Sequence, residues 1–173
     1  GYSTVANYGW RVENYLIERI EDAAGNVIYQ HETRRSRALD GALAAAVVNT
    51  LEQVVTAGTG GNAWIGRPQA GKTGTHENHT DAWFIGFIPQ YTTSVWVGFP
   101  DRQVEVRNLV INGTYHDAVW GSSVPAPIWA DFMEIVTEDL PVLDFPPDPE
   151  GVEAYYQTPR VEVPDVVGLD LEE

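Results

Sequence analysis

Two dense apolar runs lie back to back in the middle of the chain. They are Asp81–Gln90, "DAWFIGFIPQ", and Tyr91–Asp101, "YTTSVWVGFPD". Both are rich in aromatic and β-branched residues, the side chains that suit a pleated, half-buried surface. Pro89 and Gln90 mark the bend, since proline cannot donate to a ladder. Two such runs joined by so short a bend pair as adjacent antiparallel strands. The rest of the chain must therefore be built around a sheet. Trp83, Phe87, Trp96 and Phe99 read as core or sheet-face residues.

The flanking segments supply helices. Residues 1–10, "GYSTVANYGW", suit the end of a helix with Gly9 at its close. In "YLIERIEDAAGNVIYQHE", Leu16–Ile20 and Val27–Tyr29 have strand composition, and the turn residues of Asp22–Asn26 make them a hairpin. "TRRSR" reads as a short basic link. Asp40 is a plausible N-cap, because its carboxylate can accept from the first free backbone N–H groups. Leu43, Val47, Leu51, Val54 and Val55 follow at helical spacing, and Gly58 ends the run. "GTGGN" is then a turn-rich loop. A second helix is expected over "VPAPIWADFMEIVTEDL", with Pro127 in its first turn and Ile128, Trp129, Phe132, Ile135 and Val136 as a stripe docked on the sheet. The fold class is thus α/β, an antiparallel sheet flanked by helices.

Residues 141–160 are proline-rich and acidic and read as a stiff linker, with something new beginning over 161–173. The pattern breaks off at Glu172-Glu173 and no initiator Met is present, so a piece of a longer protein is expected. The net charge of −15 argues against a nucleic-acid partner, which usually needs a basic patch. The chain has no cysteine, so disulfides, thiolate metal sites and a Cys nucleophile are excluded. No run of 18 apolar residues is present to span a membrane.

One segment, "GRPQAGKTGT" at Gly66–Thr75, carries chemistry and reads two ways. Gly66, Gly71, Lys72 and Thr73 match G-x-x-x-x-G-K-[ST], a phosphate-cradling loop. That loop needs a buried strand before it and a helix directly after it. Here a glycine loop precedes it, Pro68 removes an amide, and Gly74-Thr75-His76-Glu77-Asn78 is poor helix material. Lys72-Thr73-Gly74 is also the K-T-G signature of serine acyl-transferases acting on cell-wall peptides or β-lactams. A strand can hold Lys72 and Gly74 on one face and Thr73 and Thr75 on the other. Lys72 supplies positive charge, Gly74 lets a substrate backbone lie close, and Thr75 offers a hydroxyl to a substrate carboxylate and a backbone N–H to a developing oxyanion. His76, Glu77, His79 and Asp81 have His-x-x-His spacing in a loop, unlike the helical arrangement of hydrolytic zinc sites, so no metal and no cofactor is expected. Asp81 reads as a turn or capping residue, and Arg34, Arg35 and Arg37 as a solvated link.

In this order, "STVANYG", "YLIERIEDAAGNVIY", "VVTAGTG", "GRPQAGKTGT", "DAWFIGFIPQ" and "SVWVGF" resemble the last part of the transpeptidase domain of class A penicillin-binding proteins. The resemblance covers residues 1–140, and "VPDVVGLDLEE" in the tail resembles the opening of a PASTA repeat. It implies the serine-transpeptidase and β-lactamase architecture, of which only the C-terminal portion is present. It also implies a D,D-transpeptidase on the extracytoplasmic face of the bacterial membrane. Its partners would be stem peptides ending in D-Ala-D-Ala, β-lactams and the remainder of the transpeptidase domain. Lys72, Thr73, Gly74 and Thr75 take the Lys-Thr-Gly-Thr positions, with Thr73 and Thr75 toward the substrate. The family also needs S-x-x-K and S-x-N. Lys72 is the sole lysine, and Ser3, Ser36, Ser94, Ser122 and Ser123 fit neither pattern. The nucleophile is therefore expected outside this chain, which alone should be inactive. The alternative is a non-catalytic wall-binding or scaffold fragment.

Overall fold

The computed structural model describes residues 1–156, so the expected module at 161–173 lies outside the described residues. In chain order the elements are α1 (Tyr2–Ala6), β1 (Trp10–Val12), β2 (Arg19–Glu21), β3 (Val27–Gln30), β4 (Arg35–Arg37) and α2 (Gly41–Thr56). They continue with β5 (Ala70–Thr75), β6 (Asp81–Phe87), β7 (Thr92–Gly98), β8 (Arg107–Ile111), β9 (Thr114–Ala118) and α3 (Pro125–Val136). The centre is an antiparallel sheet in the order β5-β6-β7. Its register sets Lys72 opposite Ile85, Thr73 opposite Phe84 and Gly74 opposite Trp83.

The alternation of the strands divides this sheet into two faces. On one, Phe84 meets Trp129 of α3 edge-on at 5.4 Å, within a cluster that includes Ala126 and Met133. The Trp129 indole N–H donates to the Thr93 carbonyl at 3.1 Å. Gly86 makes room for it, since a Cβ there would sit 2.8 Å from the indole. On the other face, Phe87 and Ala70 are buried against Val48 of α2, with Tyr2 and Val5 of α1 packed alongside. Val55, one end of α2, belongs instead to the Phe84 cluster. Thus α2 contributes to the packing on both faces, through Val48 on one and Val55 on the other.

Asp40 caps α2 as expected: its Oδ1 accepts from the backbone N–H groups of Ala42 and Leu43 at 2.9 and 3.1 Å. The buried side of α2 is carried by Ala42, Ala44, Ala45, Ala46, Val48 and Val55, while Leu43, Val47 and Leu51 are half-buried. Small residues let the helix approach closely, and the larger ones border the groove beside them. The hairpin forms as β2 and β3, with Asp22 Oδ1 accepting from Ala24 and Asn26 in the turn.

Two expectations are corrected. "TRRSR" is not a free link: Arg35–Arg37 pairs as β4 with β1, and Arg35 and Arg37 lie over the Trp10 ring at 4.7 and 5.1 Å. Of the α3 stripe only Trp129 is buried, and it joins Ala126, Ala130 and Met133 on the docking side. Ile128, Phe132, Ile135 and Val136 are exposed, Ile135 by 74%.

The proline-rich stretch lies against α2, the sheet and the residues after α1 as far as Tyr156. Phe145 packs on Phe87, the Tyr8 hydroxyl donates to the Pro146 carbonyl at 3.0 Å, and Asn49 donates to the Asp148 carboxylate at 2.9 Å. Val152 is buried with Ala42, Ala45 and Ala46.

Candidate functional site

The site begins with where β5 runs. Among the described residues it pairs with β6 alone, so its other edge presents backbone N–H and C=O groups to no strand. Lys72 projects from it exposed, on the same face as Gly74, and its Nζ donates to the Thr73 carbonyl at 2.8 Å. Thr73 and Thr75 share the opposite face, as alternation requires.

Both hydroxyls are held. Thr73 Oγ1 lies 2.8 Å from Thr59 Oγ1, in the loop that leaves α2. In such a pair one hydroxyl donates to the other, which leaves one proton free to point elsewhere. Thr75 Oγ1 accepts from the Gly121 N–H at 3.1 Å. Its own proton is thereby free to donate outward. The arrangement is one cation, Lys72, and two anchored hydroxyls, Thr73 and Thr75, along one open-edged strand, suited to a carboxylate or a polarised carbonyl.

Gly121 is fitted against the strand. A Cβ there would be 2.3 Å from the Trp83 carbonyl oxygen and 2.7 Å from that of Gly74. The loop before α3 is therefore held flat on the sheet beside Thr75. Its neighbour Ser122 gives its carbonyl to the Asn62 side chain at 2.9 Å. Ser123 Oγ accepts from the Trp120 N–H at 2.9 Å and serves that turn.

The phosphate-loop reading does not survive this geometry. Lys72 and Thr73 are in mid-strand, and β6 follows with no helix between. The segment before β5 is tied inward by buried Gln69, whose Oε1 accepts from Ile65 N–H and whose Nε2 donates to the Ala63 carbonyl. The polar loop after β5 also separates. His79 turns inward to the Val119 carbonyl and Trp120. Asp81 accepts from the Trp96 indole N–H at 2.7 Å and from the Thr80 hydroxyl at 2.9 Å, a sheet-locking role. His76 and Glu77 are exposed. These four side chains do not converge on one point.

Sequence reasoning did not single out Thr59 or Gly121. Thr59 sits in "VVTAGTG", where the glycines suggest only turns. Gly121 carries no local signal, because what makes it matter is a strand 46 residues earlier.

Residues 1–134 match the family model described as the penicillin binding protein transpeptidase domain. Penicillin-binding protein 1A of Aquifex aeolicus is 34% identical over 152 residues, which is 87% of this chain and 20% of that protein. The crystal structure of penicillin-binding protein 1A from Haemophilus influenzae superposes with a TM-score of 0.67 at 21% identity, over 86% of this chain and 27% of that one. An imipenem acyl-enzyme of penicillin-binding protein A from M. tuberculosis superposes at 0.57 and 24% identity, over 76% of this chain and 28% of that one. The chain spans about a fifth of the length of the curated relatives it matches.

Proposed function

The chain belongs to the penicillin-binding protein transpeptidase domain family, and from that premise we propose that it supplies the Lys-Thr-Gly strand of a peptidoglycan D,D-transpeptidase. The observation that carries this reading is the open edge of β5, with Lys72 on one face and two anchored hydroxyls on the other.

In this reading a serine outside the chain attacks the carbonyl carbon between the two terminal D-alanines. The C–N bond breaks, and D-alanine leaves as the amine after gaining a proton. An amine of a neighbouring stem then takes the acyl group and regenerates the serine. Lys72 provides positive charge beside the nucleophile. Thr73 and Thr75 hold the terminal carboxylate, and the Thr75 N–H contributes to the oxyanion site. Gly74 lets the substrate backbone lie along the edge. A β-lactam is taken in the same way. The remainder of the domain brings S-x-x-K and S-x-N to this edge, on the extracytoplasmic side of the membrane. The division at residue 140, with a connecting segment to 160 and a PASTA-like module after it, belongs to the same reading.

The test is labelling with a fluorescent penicillin. The 173-residue chain is expected to take up none, and the full-length protein to label stoichiometrically. Lys72→Ala in the full-length protein should slow acylation by about 10²–10³-fold, the scale of losing one electrostatic partner of the reaction. Labelling of the chain alone, or an undiminished rate in Lys72→Ala, overturns the assignment.

A further inference from the structure

We propose that His79 is a positioning residue for the acyl-donor carboxylate, acting through Trp120 and Gly121 on the Thr75 hydroxyl. The proposal rests on the reading of Thr75 given above.

His79 is 7% exposed and adopts a φ of +52°, in the left-handed region that histidine enters more readily than most residues. It sits in the turn between β5 and β6, four residues after Thr75. Its carbonyl accepts from the Val106 N–H at 2.8 Å, and the Val106 carbonyl accepts from the Val119 N–H at 2.9 Å. Its Nδ1 lies 3.4 Å from the Val119 carbonyl. A carbonyl only accepts, so that contact requires the tautomer with the proton on Nδ1. The ring also stands edge-on to the half-exposed Trp120 indole, 4.4 Å between centroids at 83°. One side chain thus grips two consecutive residues of the loop, and the next one, Gly121, donates to Thr75 Oγ1.

That last bond decides where the Thr75 proton points. A hydroxyl with an engaged lone pair is restricted in rotation, and the remaining proton is presented outward. Release of the loop at Val119 and Trp120 frees the hydroxyl to turn without displacing the backbone of β5. The effect should therefore fall on recognition of a carboxylate and spare the handling of a donor that has none. Asn62, gripping Ser122 from the other side, keeps the loop present when His79 is changed.

The measurement is the acylation rate constant of the full-length protein with benzylpenicillin and with its methyl ester, which lacks the charge. The ratio of the two is the readout. Thr75→Val tests the underlying reading and should collapse the ratio. His79→Ala should lower the ratio about fivefold, on the scale of one lost hydrogen bond, with the ester rate little changed. His79→Phe, which keeps the ring on Trp120 and loses the Nδ1 contact, should recover part of it. Gly121 amide exchange in the full-length protein should quicken in His79→Ala. If Thr75→Val leaves the ratio intact, the reading of Thr75 is wrong. If Thr75→Val collapses it while His79→Ala does not, or if both rates of His79→Ala fall together, His79 has no positioning role.

Discussion

At the scale of single residues, the edge of β5 owes its shape to what is missing at position 121. The loop before α3 rests against the backbone of Trp83 and Gly74, and both obstacles are carbonyl oxygens that cannot rotate away. Gly121→Ala must therefore lift the loop or bend β5. A cost of about 2–3 kcal/mol is expected, in the range of overpacking at a rigid contact. Chemical denaturation of the chain checks it, and a change under 0.5 kcal/mol, the ordinary surface range, would show that the loop floats. Asp81 illustrates the limits of a motif seen alone. Its place among His76, Glu77 and His79 invites a metal. Its carboxylate is instead consumed by Trp96 on the neighbouring strand β7 and by Thr80, the residue before it. Lys72–Thr75 could be placed on a strand from the sequence, because alternation and the absence of a following helix are local properties. Thr59 and Gly121 could not, since their contacts come from 14 and 46 residues away.

At the scale of elements, the segment after α3 is held to α2 by a mixture of apolar and charged contacts that oppose one another. Val152 and Phe145 favour docking, while Glu52 faces Asp148 and Asp144. Burial first, then those two carboxylates, raises the Glu52 carboxyl above its ordinary value of 4.5. A folded-state value above the unfolded one means that the native state holds the proton more tightly. Stability is thus fully present below about pH 4.5 and declines as the pH rises through the folded value. Glu52→Gln should remove that decline and stabilise the chain at neutral pH, by less than about 1 kcal/mol because water screens a group this exposed. Thermal melts at pH 4 and pH 7 read the difference, and an equal shift at both pH values would contradict the mechanism. The strands and helices themselves divide by how local their signals are. β6 and β7, the Asp22 turn and the Asp40 cap each announce themselves within a few residues. β1 and β4 are three residues each, with three arginines among the six, and are held partly by arginines on Trp10, so no alternation exposes them. The α3 stripe shows that a 3.6-residue period identifies an apolar side without saying what covers it. Gly86 opens the hollow that Trp129 fills, and this selects the Ala126–Trp129–Met133 side for the sheet.

At the scale of the whole molecule, the side of α3 that the sheet does not take is the feature with the clearest consequence. Ile128, Phe132, Ile135 and Val136 form a row at i, i+4, i+7 and i+8, and all four are exposed among the described residues, Ile135 the most. A continuous apolar row on one helix invites association when nothing covers it. The 173-residue chain should therefore self-associate at micromolar concentration, and Ile128→Lys with Phe132→Glu should shift it toward monomer without lowering its melting temperature. The same pair of substitutions has the opposite consequence if the remainder of the transpeptidase domain packs on this row in the full-length protein. Charges would then be forced into a covered apolar contact, costing about 2–4 kcal/mol or preventing folding. Sedimentation of the chain and denaturation of the full-length protein together decide the matter. A variant that is harmless in both proteins would mean that α3 is a true outer surface, and that any further part of the domain meets this chain elsewhere, as at the β5 edge.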